Sequence, residues 1–334
     1  MLGKIITIGV SLLVFLLVCW VLFWMYSYKT YNVEYGISFN QNHADSLGLD
    51  WKQVYTDMLQ ELQPKYVRVA AMWSEIEEEK GTHSFSDIDW MMNMAAKYNT
   101  KIVLVVGQKA PRWPECHVPT WIGGYSTEEV KGYLLDYVRE TILRYKKHPA
   151  LELWQVENEA FIRFEFGNCE GFNLDAVYEE VDLVRELDPD RKIVMTDSGE
   201  LATWRRPSKT GDIFGTTLYR IVRTPSGRIF SYDFLPAGFY RLKARFWNKT
   251  ESEFFVSELQ AEPWFTDSDP LNASVEEMEE TMNPERFQKH LNYASHVGAS
   301  RVYLWGVEWW HYMKSKRGDS RYWDIVSTLS DRIE

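Results

Sequence analysis

From about residue 33 the chain alternates short apolar runs with longer stretches in which apolar side chains recur at helical spacing. Tyr66–Met72 (YVRVAAM) and Lys101–Gly107 (KIVLVVG) are nearly unbroken apolar runs, the pattern of strands buried on both faces in a parallel sheet. Val33–Phe39, Leu151–Val156, Lys192–Thr196, Ile213–Tyr219, Glu253–Ser257 and Arg301–Trp305 read as further strands. Between Val33–Phe39 and Tyr66–Met72, Trp51, Val54, Tyr55, Met58, Leu59 and Leu62 mark a helix over Asp50–Leu62. Ser86–Tyr98 reads as a second helix with Ser86 as its cap. Ser126-Thr127-Glu128-Glu129 opens a third that reaches about Lys147. Leu174–Leu187 (stopped at Asp188-Pro189-Asp190), Pro284–Val297 and Arg321–Leu329 follow. Strands separated by helices in this order predict an α/β fold, a closed (β/α)8 TIM barrel. Residues 198–250 are the weakest part of the pattern, and Ser226-Gly227-Arg228 reads there as the tip of a loop or hairpin. No repeat, low-complexity tract or linker marks a second domain.

The segment ahead of the barrel has a different character. Ile5–Met25 is almost wholly apolar over about 21 residues, long enough to span a bilayer core. It ends in Cys19-Trp20-Val21-Leu22-Phe23-Trp24-Met25-Tyr26, whereas a cleaved signal peptide ends in small residues. Trp20, Trp24, Tyr26 and Tyr28 form an aromatic belt of the kind found at a membrane interface. The expected organisation is a single-pass, uncleaved anchor over residues 1–30 and a barrel domain over 31–334. The short amino-terminal side is expected in the cytoplasm, leaving the barrel extracytoplasmic, although Lys4 and the amino terminus are opposed only by Lys29.

Composition narrows the partners. Net charge is −11 with no basic stripe, which argues against nucleic acid. Tryptophan and tyrosine are abundant, at 15 and 19 residues; these rings could fill a large core or line a cleft that stacks on sugars. No Walker loop, dinucleotide glycine fingerprint, His-Glu-x-x-His or cysteine cluster is present. No cofactor is implied, and His43, His117 and His311 share no metal-ligand spacing.

Barrel enzymes carry their chemistry at the C-terminal ends of the strands. The fourth run ends in Trp154-Gln155-Val156-Glu157-Asn158-Glu159, and the seventh in Phe254-Phe255-Val256-Ser257-Glu258-Leu259-Gln260. In a closed barrel of eight these ends lie across the mouth from each other, so Glu159 and Glu258 can face one another. Two facing carboxylates are what glycoside hydrolysis by double displacement requires: one is the acid and then the base, the other the nucleophile. Glu157 and Glu262 are competing carboxylates, and Glu262 is the rival nucleophile; Glu258 is preferred because it directly ends the apolar run.

Asn158-Glu159 closing the fourth strand and Glu258 closing the seventh resemble clan A of the glycoside hydrolases, over residues 33–330. The resemblance implies a retaining β-glycosidase with a carbohydrate substrate, Glu159 as acid/base, Glu258 as nucleophile and Asn158 bonding the sugar 2-hydroxyl. It further implies that Arg68, inside an apolar strand where a lone charge is costly, steadies the nucleophile. Tyr219 is expected to hydrogen-bond that carboxylate and Trp305 to lie under the sugar. Trp309, Trp113 and Trp121 are further candidate sugar contacts. The stretch Met72-Trp73-Ser74-Glu75-Ile76-Glu77 with Gly81 and Phe85 is similar to the corresponding loop of galactosidase-like members.

The chain departs from the clan at Ala160, where many members have proline. Strict alternation would also put Asn158 and Glu159 on opposite faces, so the strand end is expected to be irregular. Cys116 and Cys169 fall in the loops after strands three and four, which the barrel makes neighbours, so a disulfide between them is expected at the rim. Two other functions share these residues: a carbohydrate-binding pseudoenzyme and a transglycosylase.

Overall fold

A computed structural model describes residues 2–112, 114–162, 169, 172–224, 226–265 and 270–330. The eight apolar runs form one closed parallel barrel. Its strands are β1 (Glu34–Ser38), β2 (Tyr66–Ala70), β3 (Lys101–Val106), β4 (Leu151–Val156), β5 (Ile193–Asp197), β6 (Ile213–Leu218), β7 (Phe254–Gln260) and β8 (Arg301–Trp305). Each pairs with its neighbours in chain order, and β1 closes on β8 in the register Glu34 opposite Arg301 through Ser38 opposite Trp305.

Around this barrel lie α2 (Trp51–Asp57), α3 (Ser86–Lys97), α4 (Thr127–Tyr145), α5 (Leu174–Leu187), α6 (Arg205–Thr210), α7 (Gly238–Phe246), α8 (Pro284–Val297), α9 (Val307–Lys316) and α10 (Arg321–Ser330); α1 (Leu2–Tyr26) precedes it. Ser126 caps α4 in a reciprocal capping box with Glu129. Ser86 does not act as the expected cap. It is the first residue of α3, with Phe85 in the cap position making no side-chain bond, and Asp87 and Asp89 supply the negative charge favoured in a first helical turn.

Residues 198–250 are poorly patterned because their helices are short. The helix after β5 is α6, six residues with Pro207 inside it. The segment after β6 first forms an antiparallel hairpin of Ile221–Arg223 and Ile229–Ser231, and only then α7.

Side chains alternate across each strand, so every second residue points into the barrel. The floor is apolar, built from Tyr66, Val103, Leu153, Val194, Ile213, Phe255 and Tyr303. Gly36 is required at this level, since a Cβ there would stand 2.8 Å from the Tyr303 ring. One step toward the C-terminal ends the filling turns polar, with Arg68, Gln155, Thr196 and Ser257 all buried. The C-terminal end of the barrel therefore rests on a hydrogen-bonded layer that in turn rests on a hydrophobic floor. Within α1, Ile6–Tyr26 is long and apolar enough to cross a membrane, and it is exposed up to Leu22, with Phe23, Trp24 and Tyr26 half-buried.

Candidate active site

Arg68 organises the mouth. Its side chain rises from β2 with about 1% of its surface exposed, so each of its donors needs an acceptor. Nε donates to Gln155 Oε1 (2.8 Å), Nη1 to Glu258 Oε1 (2.9 Å) and to the Ser257 carbonyl (3.4 Å), and Nη2 to Asn158 Oδ1 (2.7 Å). One guanidinium thus ties the end of β4 to the end of β7. The second carboxylate oxygen of Glu258 accepts from the Tyr219 hydroxyl at 3.0 Å, and the Tyr219 ring is set edge-on against Trp264.

Both strand ends are irregular. In β7 the pairing to β6 runs from Thr216 opposite Val256 to Thr217 opposite Glu258, skipping Ser257. That bulge turns the Glu258 side chain toward the mouth. At the end of β4, Glu157 and Glu159 have φ of 58° and 46°, a left-handed backbone rarely adopted by residues other than glycine. The two turns let Asn158 and Glu159 escape strict alternation. Thr196 supports them: its hydroxyl accepts from the Glu159 amide (2.9 Å) and donates to Asn158 Oδ1 (3.3 Å).

Glu159 is buried, and its Oε1 accepts from Thr217 Oγ1 at 3.4 Å. Burial pushes its carboxyl well above the usual carboxylate range, and the negative charges of Glu115, Glu258 and Asp197 push it further, against the pull of Lys109. Glu258 has instead a buried guanidinium and a phenol as direct partners. Two carboxyl groups in one cleft are thereby placed in opposite environments, the arrangement that separates an acid from a nucleophile.

The cleft holds about 520 Å³ and is lined by Glu159, Glu258, Tyr219 and Trp305, together with Arg112, Glu115, Glu262 and Trp264. Glu262, the rival nucleophile, is bound by Arg112, which also reaches Glu308 Oε2 at 2.9 Å. The Arg112 guanidinium lies over the Trp305 ring, 4.4 Å from its centre. His43, Glu262 and Glu308 bring potential ligand atoms within 4.8 Å of one another, but Arg112 already supplies both carboxylates with a cation. Burial and Arg112 push His43 well below the usual imidazole range.

Glu115 stands at the rim, 3.8 Å from Lys109 Nζ, and burial pushes its carboxyl up to about 8 against the pull of that lysine. Its neighbour Cys116 is paired with Cys169, the Cα atoms 5.3 Å apart, a normal separation for a disulfide. The pairing joins the loops after β3 and β4.

Of the aromatic candidates, Tyr219 and Trp305 line the cleft. Trp309 is placed elsewhere: it is fully buried on α9 and packs edge-on against Tyr322 with ring centres 4.4 Å apart. Helical geometry after Gly306 turns it into the layer between helices and away from the mouth. Trp121 packs on Trp73 and donates to the Glu77 carbonyl. Trp113 lies outside the described residues. Arg112, Glu115 and Glu308 are absent from the sequence-based expectations. Glu308 follows the β8 terminus by three residues and could have been found by the strand-end rule; the other two sit in a proline-rich loop with no periodicity.

No protein-family model matches the sequence, and no curated protein matches it. The fold is shared with solved glycoside hydrolases. A xylanase 10B from Thermotoga maritima matches with a TM-score of 0.56 at 14% identity, covering 85% of this chain and 84% of its own. A glycoside hydrolase family 10 endo-β-1,4-xylanase from Gloeophyllum trabeum matches with a TM-score of 0.54 at 14% identity, over 85% and 86% of the two chains. A cold-adapted β-galactosidase from Rahnella sp. R3 gives 0.56 at 14% identity, over 84% of this chain. The present chain spans about half the length of that β-galactosidase, 51%. The fold implied by the resemblance to clan A is the fold found.

Proposed function

We propose that this protein is a retaining β-glycoside hydrolase that acts on an oligo- or polysaccharide and is held at a membrane by α1. The observation that carries the reading is the unlike environment of the two strand-end carboxyls. Glu258 is held by Arg68 and Tyr219, while Glu159 is buried among negative charges that favour its protonated form.

In this reading Glu258 attacks the anomeric carbon as Glu159 gives its proton to the departing glycosidic oxygen. A glycosyl ester on Glu258 results, and Glu159, now ionised, takes a proton from the water that cleaves it. Asn158 spends its Oδ1 on Arg68, which leaves its amide nitrogen as the group to meet a sugar hydroxyl. Xylanases and β-galactosidases with this fold support a β-linked sugar as the substrate class. Hydrolysis and transglycosylation use the same first step and differ in the acceptor.

The test uses the detergent-solubilised full chain on a panel of aryl β-glycosides. Glu258→Ala is expected to lose turnover and to regain it with azide, releasing an α-glycosyl azide. Equal activity of wild type and variant would remove Glu258 from the role and turn attention to Glu262.

A further inference from the structure

The end of α1 is not joined to the barrel by a free linker. The Gly238 amide donates to Ser27 Oγ at 2.8 Å, and a Cβ on Gly238 would stand 2.6 Å from that oxygen and 2.8 Å from the Tyr26 ring. Arg241, buried on α7, stacks its guanidinium 3.7 Å from the centre of the Tyr26 ring. It also bonds the Tyr26 carbonyl and, at 2.7 Å, the Tyr31 hydroxyl. Arg245 donates to the Tyr26 hydroxyl at 2.9 Å. The last turn of α1 is thus seated on α7, and whichever bilayer α1 enters meets the same flank of the barrel.

That flank is unlike the rest of the surface. Phe246 is 73% exposed and Leu242, one turn before it on α7, is 46% exposed. Four residues ahead of α7, Phe234 is 56% exposed, and on the adjoining hairpin Ile229 and Phe230 are also exposed. The charge changes with it. Residues 201–250 contain ten lysines and arginines against two acidic residues, in a chain whose net charge is −11. Arg205, Arg206, Lys209, Arg228 and Arg245 are exposed. Apolar side chains interleaved with exposed arginine and lysine suit a surface lying in the headgroup region of an anionic leaflet. A symmetric pairing of two copies would instead set basic on basic.

Resting on the membrane reading of α1, the geometry points to α7 and the 221–231 hairpin as a second membrane contact, embedded in the interface of the leaflet that α1 enters. Val222 of the same hairpin and Tyr232 just after it line the cleft, so the contact sets the active-site mouth next to the headgroups.

The test places the full chain in nanodiscs containing phosphatidylglycerol and nitroxide-labelled lipid. A fluorophore is attached to Cys19 in the wild type, or to Phe246→Cys, Phe230→Cys or Leu143→Cys in a Cys19→Ser background. Leu143 is exposed on α4 across the barrel. Several-fold stronger quenching at 246 and 230 than at 143 is expected, reduced by Arg205→Glu/Arg206→Glu/Lys209→Glu. Quenching at Cys19 with 246 and 230 no more quenched than 143 would overturn the second contact and leave the anchor standing. An unquenched Cys19 would remove the anchor and this contact with it. Probe-to-probe contact at 246 in place of lipid quenching would assign the face to a second copy and overturn the bilayer assignment.

Discussion

Glu258 keeps its place through two bonds of different kinds. Arg68 is a charge partner embedded in the barrel, and its removal would strand buried polar groups at Gln155, Asn158 and Glu258 together; breaking such a pair costs about 3–5 kcal/mol of stability. Tyr219 lies at the edge of the cleft and contributes one hydrogen bond to a carboxylate, which makes it the cleaner probe. Tyr219→Phe is expected to lower kcat/KM by about 10- to 100-fold, the equivalent of about 1.5–3 kcal/mol, with the melting temperature nearly unchanged. Loss of stability without loss of rate would mean that the phenol is a packing group. Glu115 acts on the other carboxyl. Its charge, present once pH rises through about 8, is among the causes that raise Glu159, second to burial, and the raised value keeps the acid protonated as pH rises. Glu115→Gln should therefore move the alkaline limb of the kcat/KM profile to lower pH. A limb that stays put would show that Glu115 has no part in holding the acid protonated.

The end of β4 is the element that turns a strand into a site. Glu157 leaves the strand with positive φ and folds its carboxylate back onto the Gln108 and Lys109 amides. Gly107 leaves room for it, since a Cβ there would stand 2.6 Å from the Glu157 carboxyl. Behind lies Glu180 of α5, fully buried. Burial pushes Glu157 up to about 7, against the pull of those two amides. Burial, and then the Glu157 charge, push Glu180 well above the usual value near 4.5. Both groups hold protons in the folded chain that the unfolded chain releases near 4.5. Their contribution to stability is therefore fully present below that value and is lost as pH rises through 7 and beyond. Glu180→Gln removes the ionisation with the higher folded value, so at pH 8 the variant is expected to melt about 2–4 °C above wild type, with the gain vanishing near pH 5. A difference of the same size at both pH values would show that packing, not proton binding, governs the position.

At the scale of the molecule, a single barrel brings together residues that the chain keeps far apart: Arg68 and Glu258 are separated by 190 positions. The strands were legible because burial on both faces writes a continuous apolar run into each short segment, and helices such as α4 carry their caps and their periodicity with them. Given the order of those segments, the strand-end positions of Glu159 and Glu258 and the charged intruder Arg68 in β2 could be read from the chain alone, as could the apolar stretch of α1. Tertiary structure decided the rest. Asn158 and Glu159 both reach the mouth only through two left-handed residues, whose strain is stabilised by Thr196 on the next strand. Arg112 takes its place from Glu262 in the loop after β7 and Glu308 in the first turn of α9, and Trp309 turns inward because of the helix that carries it. The seat of α1 on Arg241 depends on residues more than 200 positions apart. Local burial leaves a periodic trace in a sequence; a partnership between distant polar groups leaves none until the fold brings them within bonding distance.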